Sequence, residues 1–397
     1  MKALHVLSKH LIFVTPLMHK VRRLSLFASI ESAMDGGSLS VTGLGRNINN
    51  HAKEKHRIKR VDRLCNNHHL QRETKLIYAR MVKRLVGQNS RPIILVDWSD
   101  LDNRKQHFLI RASLAAQGRA LTLYEEIHPL VKREKPAVHL QFMKQLKAML
   151  PSNCRPIIVT DAGFRIPWFR LIESLNWDYV GRVRGRTNCK KKAEMSWRSV
   201  KELYAKATSK AKNLGCYQLG AQQLFELRLI VFKRLAKGRK HKTANGKQVR
   251  KSKLSRACAQ REKEPWLLAT SLETTRCLAK KVVSIYATRM QIEESFRDLK
   301  TGLKMNEGDT RTLKRLSILL LIASLAQYLL FLLGLATKEA GAHHQYQANS
   351  VKQKNVLSNQ FIGLRAYKDN RLKLLKKHWQ AAEKTLTQLI LKPEAYV

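Results

Sequence analysis

The chain has 397 residues, enough for two or three domains, and its 44% hydrophobic and 26% charged content excludes a disordered protein. Seventy-six Lys and Arg against 29 Asp and Glu leave a formal net charge of +47. A charge that large calls for a polyanionic partner, nucleic acid ahead of an acidic membrane surface or ribosome-like RNA, because phosphate contacts release counterions and drive binding.

The six cysteines form no CxxC pair and no Cys/His spacing typical of zinc, which fits reduced thiols in a cytoplasmic protein. His68-His69 and His343-His344 are adjacent pairs that point to different sides of a helix, so neither suggests a metal site. Lys2, His5, Lys9, His10 and Pro16 interrupt any secretory apolar core at the start.

Residues 1–88 read as a helical N-terminal domain for DNA binding. Lys20–Met34 is an amphipathic stretch stopped by Gly36-Gly37, Ser40 can cap a helix over Val41–Ile48, and His56–Cys65 forms a third. In that third helix Ile58, Val61, Leu64 and Cys65 share one face, and Arg57, Lys59, Arg60 and Arg63 line the rest. Such a basic helix suits a DNA groove, with Arg46 nearby as a further contact; a solvated basic face is the plain alternative.

From Arg91 the texture changes to short apolar runs. Ile93–Val96, Phe108–Leu114, Ala120–Glu126 and Ile157–Thr160 read as strands, with helices over Ala137–Met149 and Phe164–Leu175. Three strands in succession and then alternation indicate an α/β domain with a mixed sheet, expected over 89–305. Within it, about 185–265 reads as a β-rich basic insertion. Leu224–Phe232 is strand-like, and Lys233–Lys263 holds 13 Lys or Arg against the single acid Glu262, with a loose loop around Gly238–Ser255. A strand is expected over Trp266–Thr270. The remainder, 306–397, is expected to be helical and to serve dimerisation or DNA contacts. Its segment Leu316–Thr337 is long and apolar enough to cross a bilayer, but a single such stretch after a globular pattern favours a buried core helix and no membrane.

Two runs echo each other: Arg91-Pro92-Ile93-Ile94-Leu95-Val96-Asp97 and Arg155-Pro156-Ile157-Ile158-Val159-Thr160-Asp161. Each is apolar at consecutive positions, as in a strand covered on both faces, and each is read as ending in an aspartate. Either acid alone could be a turn residue, Asp161-Ala162-Gly163 especially. Asp100 is a near rival of Asp97 but lies outside the apolar run. A helix over Leu278–Lys300 would place Tyr286, Arg289, Glu293, Arg297 and Lys300 on an arc of about 80° beside an apolar stripe. An Arg289–Glu293 ion-pair ladder is the ordinary reading of that face. Asp97, Asp161 and Glu293 together would supply oxygen-only ligands suited to Mg²⁺ or Mn²⁺. Two ions about 4 Å apart in one active site could serve an in-line displacement at phosphorus. No P-loop, G-x-S-x-G or dinucleotide fingerprint is present.

The spacing Tyr286-x2-Arg289-x3-Glu293-x6-Lys300 resembles the Y-R-E-K signature of bacterial insertion-sequence transposases of the insertion-sequence-four family. The surrounding blocks fit as well: MQIEESFRDLK at 290–300, IILVDWSD around Asp97, IIVTDAGFRIPW around Asp161, RVRGR at 182–186, KEPWLLATSL at 263–272, LGRNI, KHRIKRVDRL, and QANSVKQKNVLS at 347–358. The resemblance spans nearly the whole chain. It implies a ribonuclease-H-like catalytic domain and a DDE transposase acting by cut-and-paste, with end nicking, hairpin formation and strand transfer. It also implies a homodimer in a synaptic complex on double-stranded DNA, both inverted-repeat ends and target. Asp97, Asp161 and Glu293 would be the catalytic metal ligands. Tyr286, Arg289 and Lys300 would contact end-DNA phosphates, with Arg297 beside them on the arc. Trp266 would stack on a flipped base, with an ordinary core aromatic as its alternative. Trp98 reads as packing. After Lys300 the sequence departs from the pattern by bringing in Glu307. A nuclease on the same fold that cuts without joining, and an inactive end-binding regulator, are the competing functions.

Overall fold

The computed structural model describes residues 3–392, apart from 103, 117, 186, 223, 235–251, 254–255, 258–259, 261–262, 309, 311 and 351–355. These residues form two compact units, one of Met1–Pro156 with Thr288–Val397 and one of Ile157–Ala287. The expected 1–88 and 306–397 segments both lie in the first unit. The basic loop expected around Gly238–Ser255 lies outside the described residues, apart from Ser252 and Lys253.

The first unit begins with five helices: α1 (Ala3–Val14), α2 (Lys20–Met34), α3 (Val41–Asn47), α4 (Glu54–Cys65) and α5 (His68–Val86). The expected Ser40 cap forms, and Asn67 caps α5 as well. Ser40 Oγ accepts from Gly43 N at 2.9 Å, and Asn67 Oδ1 accepts from Leu70 N at 2.9 Å at the start of α5. On α4, Val61, Leu64 and Cys65 are buried as the periodicity requires.

Strands β1 (Ile93–Asp100), β2 (His107–Ala115) and β3 (Ala120–Pro129) follow, paired antiparallel in the order β3-β2-β1. Asp97 stands opposite Arg111 in the β1–β2 register. Helix α6 (Pro136–Met149) completes the first stretch. Arg111 is fully buried and its Nε donates to Glu125 Oε2 at 2.8 Å. Glu125 also accepts from Tyr78 Oη at 2.8 Å and from Ser324 Oγ at 2.5 Å. A buried charge pair is tolerable only when its remaining lone pairs are met in this way.

The expectation of a buried core helix over Leu316–Thr337 corresponds to a helix over Leu313–Glu339. It is the one described helix long and apolar enough to cross a membrane, and 94% of its most apolar window is buried. Its crossing with the helix Asn359–Lys368 is close enough to demand glycine on both sides. A Cβ on Gly334 would stand 1.9 Å from Asn359 O, and one on Gly363 1.9 Å from Leu330 O. A last helix covers Lys376–Leu391.

The second unit is built on strands, with β4 (Ile157–Thr160) and β5 (Asp178–Arg182) parallel and helix α7 (Ile166–Ser174) between them. The β-rich texture expected after Gly185 is present as β6 (Asn188–Lys190), β7 (Arg198–Ser199), β8 (Lys212–Leu219) and β9 (Phe225–Phe232). Strand β10 (Trp266–Thr270) lies between β5 and β9, antiparallel to both. Helix α8 (Leu278–Ala287) packs on these strands through Leu278, Val282, Ile285 and Tyr286.

The sequence suggested one helix from Leu278 to Lys300. Instead α8 ends at Ala287, and α9 runs over Met290–Arg297 in the first unit before a π-helical turn, Asp298–Gly302. The ladder breaks where Gln291 N bonds Thr288 O, three residues back, at 2.9 Å. The common arc from Tyr286 to Lys300 requires unbroken helix and does not apply: Tyr286 belongs to α8, Arg289 is the N-cap of α9, and Glu293 and Arg297 lie within α9.

Candidate active site

Asp97 does not end its strand. β1 continues through Trp98 and Ser99 to Asp100, all paired with β2, and burial changes from complete to partial at Asp97. Ile94, Leu95 and Val96 are wholly buried, so the carboxylate stands where the strand leaves the core. Its Oδ1 accepts from Trp98 N at 2.8 Å. Trp98, read from the sequence as a packing residue, is half-buried, and its Nε1 donates to His139 Nε2 at 3.0 Å. Burial, and behind it the charge of His128, holds the His139 pKa down at about 4.

Glu293 lies in the first turn of α9, and 41% of its side chain is exposed. Arg289 Nη1 stands 2.6 Å from Glu293 Oε1 and 3.8 Å from Asp97 Oδ2. The i,i+4 pair expected on this face therefore exists, and the same guanidinium also brings the Glu293 helix to Asp97 on β1. Two carboxylates already face one cation here, and hard oxygen donors of this kind suit Mg²⁺ or Mn²⁺. Among the described residues, no three His, Cys, Asp or Glu side chains are grouped closely enough to hold a metal ion.

Asp161 follows β4 directly in the second unit. Its Oδ1 accepts from Gly163 N at 2.8 Å, the local turn that Asp-Ala-Gly allows, and one carboxylate oxygen is thereby engaged.

Lys300 pairs with Asp100, the rival acid at the end of β1. Arg297 is 62% exposed and pairs with Glu294. Arg119 reaches the same stretch, 3.5 Å from Glu294 and 2.5 Å from Asp298.

Trp266 opens β10 half-buried, its ring 4.8 Å from that of Tyr286 in an edge-on arrangement and 5.9 Å from that of Phe232. Tyr286 is only 3% exposed. The Arg234 guanidinium lies 5.8 Å from the centre of the Trp266 ring. Arg182 donates to the carbonyls of Glu264 and Pro265 at 3.3 and 3.4 Å, and Arg184 pairs with Glu264 at 2.7 Å. Burial lowers the Arg182 pKa, partly offset by Tyr286. Arg182 and Arg184 lie in the block RVRGR at 182–186, which by itself points to no role for either. Their only signal was alternation in a short basic run.

On α4, Lys59 and Arg63 are exposed, while Arg60 is tied to α2 through Ser25 Oγ at 3.0 Å. Arg46 is 64% exposed and pairs with Glu54 at 3.0 Å.

A family model described as a transposase DDE domain matches residues 88–329, well over half the chain. No curated protein matches the sequence significantly.

Proposed function

Because the chain belongs to the family defined by the transposase DDE domain, we propose that it moves a DNA segment by cut-and-paste transposition, cutting and rejoining at inverted-repeat ends. That membership makes it a DNA-processing enzyme with DNA as substrate, in a family that uses divalent metal. Within the family we place it in the insertion-sequence-four group, near the transposase of transposon ten, on Tyr286, Arg289, Glu293 and Lys300 in signature spacing.

The observation that carries the reading is the convergence of Asp97 and Glu293, 196 positions apart, on one guanidinium. Strand and helix are placed so that both carboxylates address a common cation, and Asp161 is the proposed third ligand. The fold read from these elements is ribonuclease-H-like, with antiparallel β3-β2-β1 and parallel β4–β5 compatible with it. When bound, two Mg²⁺ or Mn²⁺ ions would activate the attacking oxygen and neutralise the leaving one.

The chain's own residues set the substrate around that centre. Arg289 exchanges its carboxylate contacts for a DNA phosphate, and Lys300 does the same with Asp100. Arg297 follows the backbone, and Trp266 offers its exposed edge to an unstacked base with Tyr286 behind it. Arg46, Lys59 and Arg63 grip the duplex, and a homodimer holds the two ends.

The test is Asp97→Asn, Asp161→Asn and Glu293→Gln, assayed separately on uncut ends, on precut ends and for binding. Each is expected to lose at least about a thousandfold in cleavage and joining while binding ends within a few-fold of wild type. Normal cleavage by any one of them removes that residue from the ligand set. Cleavage without joining by the wild type would leave a nuclease.

A further inference from the structure

Two side chains of α9 have no part in the chemistry above and are buried against backbone. Ala116 N donates to Gln291 Oε1 at 2.8 Å. Ser295 Oγ donates to Ala120 O at 2.7 Å and accepts from Ala120 N at 3.1 Å. Gln291 is 5% and Ser295 3% exposed. Ala116 and Ala120 flank the turn between β2 and β3, and β2 carries Arg111, which stands opposite Asp97 in the strand register. A hydrogen-bonded path therefore runs from the strand of one proposed ligand to the helix of the other.

At 100° per residue, Gln291 and Ser295 lie about 40° apart around α9, and Glu293 about 160° from each. The helix is held on one side and presents its carboxylate on the other. The helix is only eight residues long, and besides Gln291 and Ser295 it buries Ile292 and Phe296. A rotation of about 20° would move a carboxylate near the helix rim by about 2 Å. Functional constellations tolerate about 0.5 Å, and Mg²⁺ demands near-octahedral geometry. Apolar packing resists such rotation weakly because it lacks direction, whereas three hydrogen bonds to fixed peptide groups resist it strongly.

We propose that Gln291 and Ser295 are positioning residues that lock the azimuth of α9 and so set Glu293 for metal ligation. The inference rests on the metal-ligand reading of Glu293. Gln327 Nε2 adds to the lock by donating to Ser295 O at 3.2 Å. The Arg111 guanidinium sits 5.1 Å from the ring of Phe296, on the same helix.

The experiment is a Mn²⁺ titration of the full chain bound to end DNA, free Mn²⁺ being followed by its paramagnetic resonance signal. Ser295→Ala and Gln291→Met are each expected to weaken Mn²⁺ binding by about tenfold, with end affinity unchanged. Ser295→Thr, which keeps the hydroxyl, restores binding to within about threefold. A merely structural role would lower the thermal midpoint and leave Mn²⁺ affinity alone, and that result overturns the proposal. If wild type binds no more Mn²⁺ than Asp97→Asn or Glu293→Gln, the metal reading itself fails and takes this inference with it.

Discussion

Arg289 grips Glu293 at 2.6 Å, one helical turn along, and its side chain is only 16% exposed. A planar guanidinium can address two carboxylates at once, and here it also stands 3.8 Å from Asp97. In the absence of metal it screens two acids that would otherwise repel each other. Both contacts are made by one nitrogen, Nη1, and the lysine side chain is one bond shorter, so its ammonium would not reach the same point between the two acids. Arg289→Lys is therefore expected to behave as a damaged enzyme rather than a conservative variant, losing at least about tenfold in single-turnover cleavage. Equal rates for Arg289→Lys and wild type would show that the bridge carries no weight.

The N-terminal basic residues divide by what they touch. Lys59 and Arg63 are exposed on α4, whereas Arg60 is bonded to Ser25 on the neighbouring helix. Removing a phosphate contact weakens binding across all sequences and flattens its salt dependence. The Lys59→Gln, Arg63→Gln double variant is expected to reduce the slope of log K against log salt by about 1.8. Arg60→Gln should mainly lower the unfolding midpoint. A salt titration of end binding alongside thermal melts separates the two outcomes, and an unchanged slope for the double variant removes α4 from the interface.

His139 links pH to stability. The folded chain keeps its ring neutral, with a pKa of about 4, while the unfolded chain takes up the proton below about 6.5. Protonation thus favours unfolding in that interval. The contribution is complete above about pH 6.5 and is lost as pH falls towards 4, up to roughly 3 kcal/mol. Urea midpoints measured from pH 7.5 to 4.5 should fall, and His139→Gln should flatten the decline. An equally steep decline in the variant would place the effect elsewhere.

The elements that were legible in the sequence are those with unbroken apolar character. Ile93–Val96 and Ile157–Thr160 announce strands because buried strands need apolar residues on both faces. The continuation of β1 to Asp100 was hidden, since Asp97, Ser99 and Asp100 are polar and only their partners on β2 keep them extended. Strand β5 was hidden by Gly181 and Arg182. The glycine is required because a Cβ there would stand 2.4 Å from the Phe169 ring. The break between α8 and α9 carries no proline or glycine, so periodicity ran straight through it. Glu293 stood out by its spacing from Arg289. The lock beneath it did not, because Gln291 and Ser295 look like any polar pair until the backbone they bond is placed.

The first unit draws on both ends of the polypeptide, Met1–Pro156 and Thr288–Val397, with the second unit emerging between them. A ribosome therefore releases the strand bearing Asp97 long before the helix that answers it, and the β2–β3 turn waits with its amides unmatched. Domains generally close during synthesis only once all their parts are outside the exit tunnel. A chain stopped before α9 would therefore hold Asp97 without Glu293, the residue proposed to share its metal.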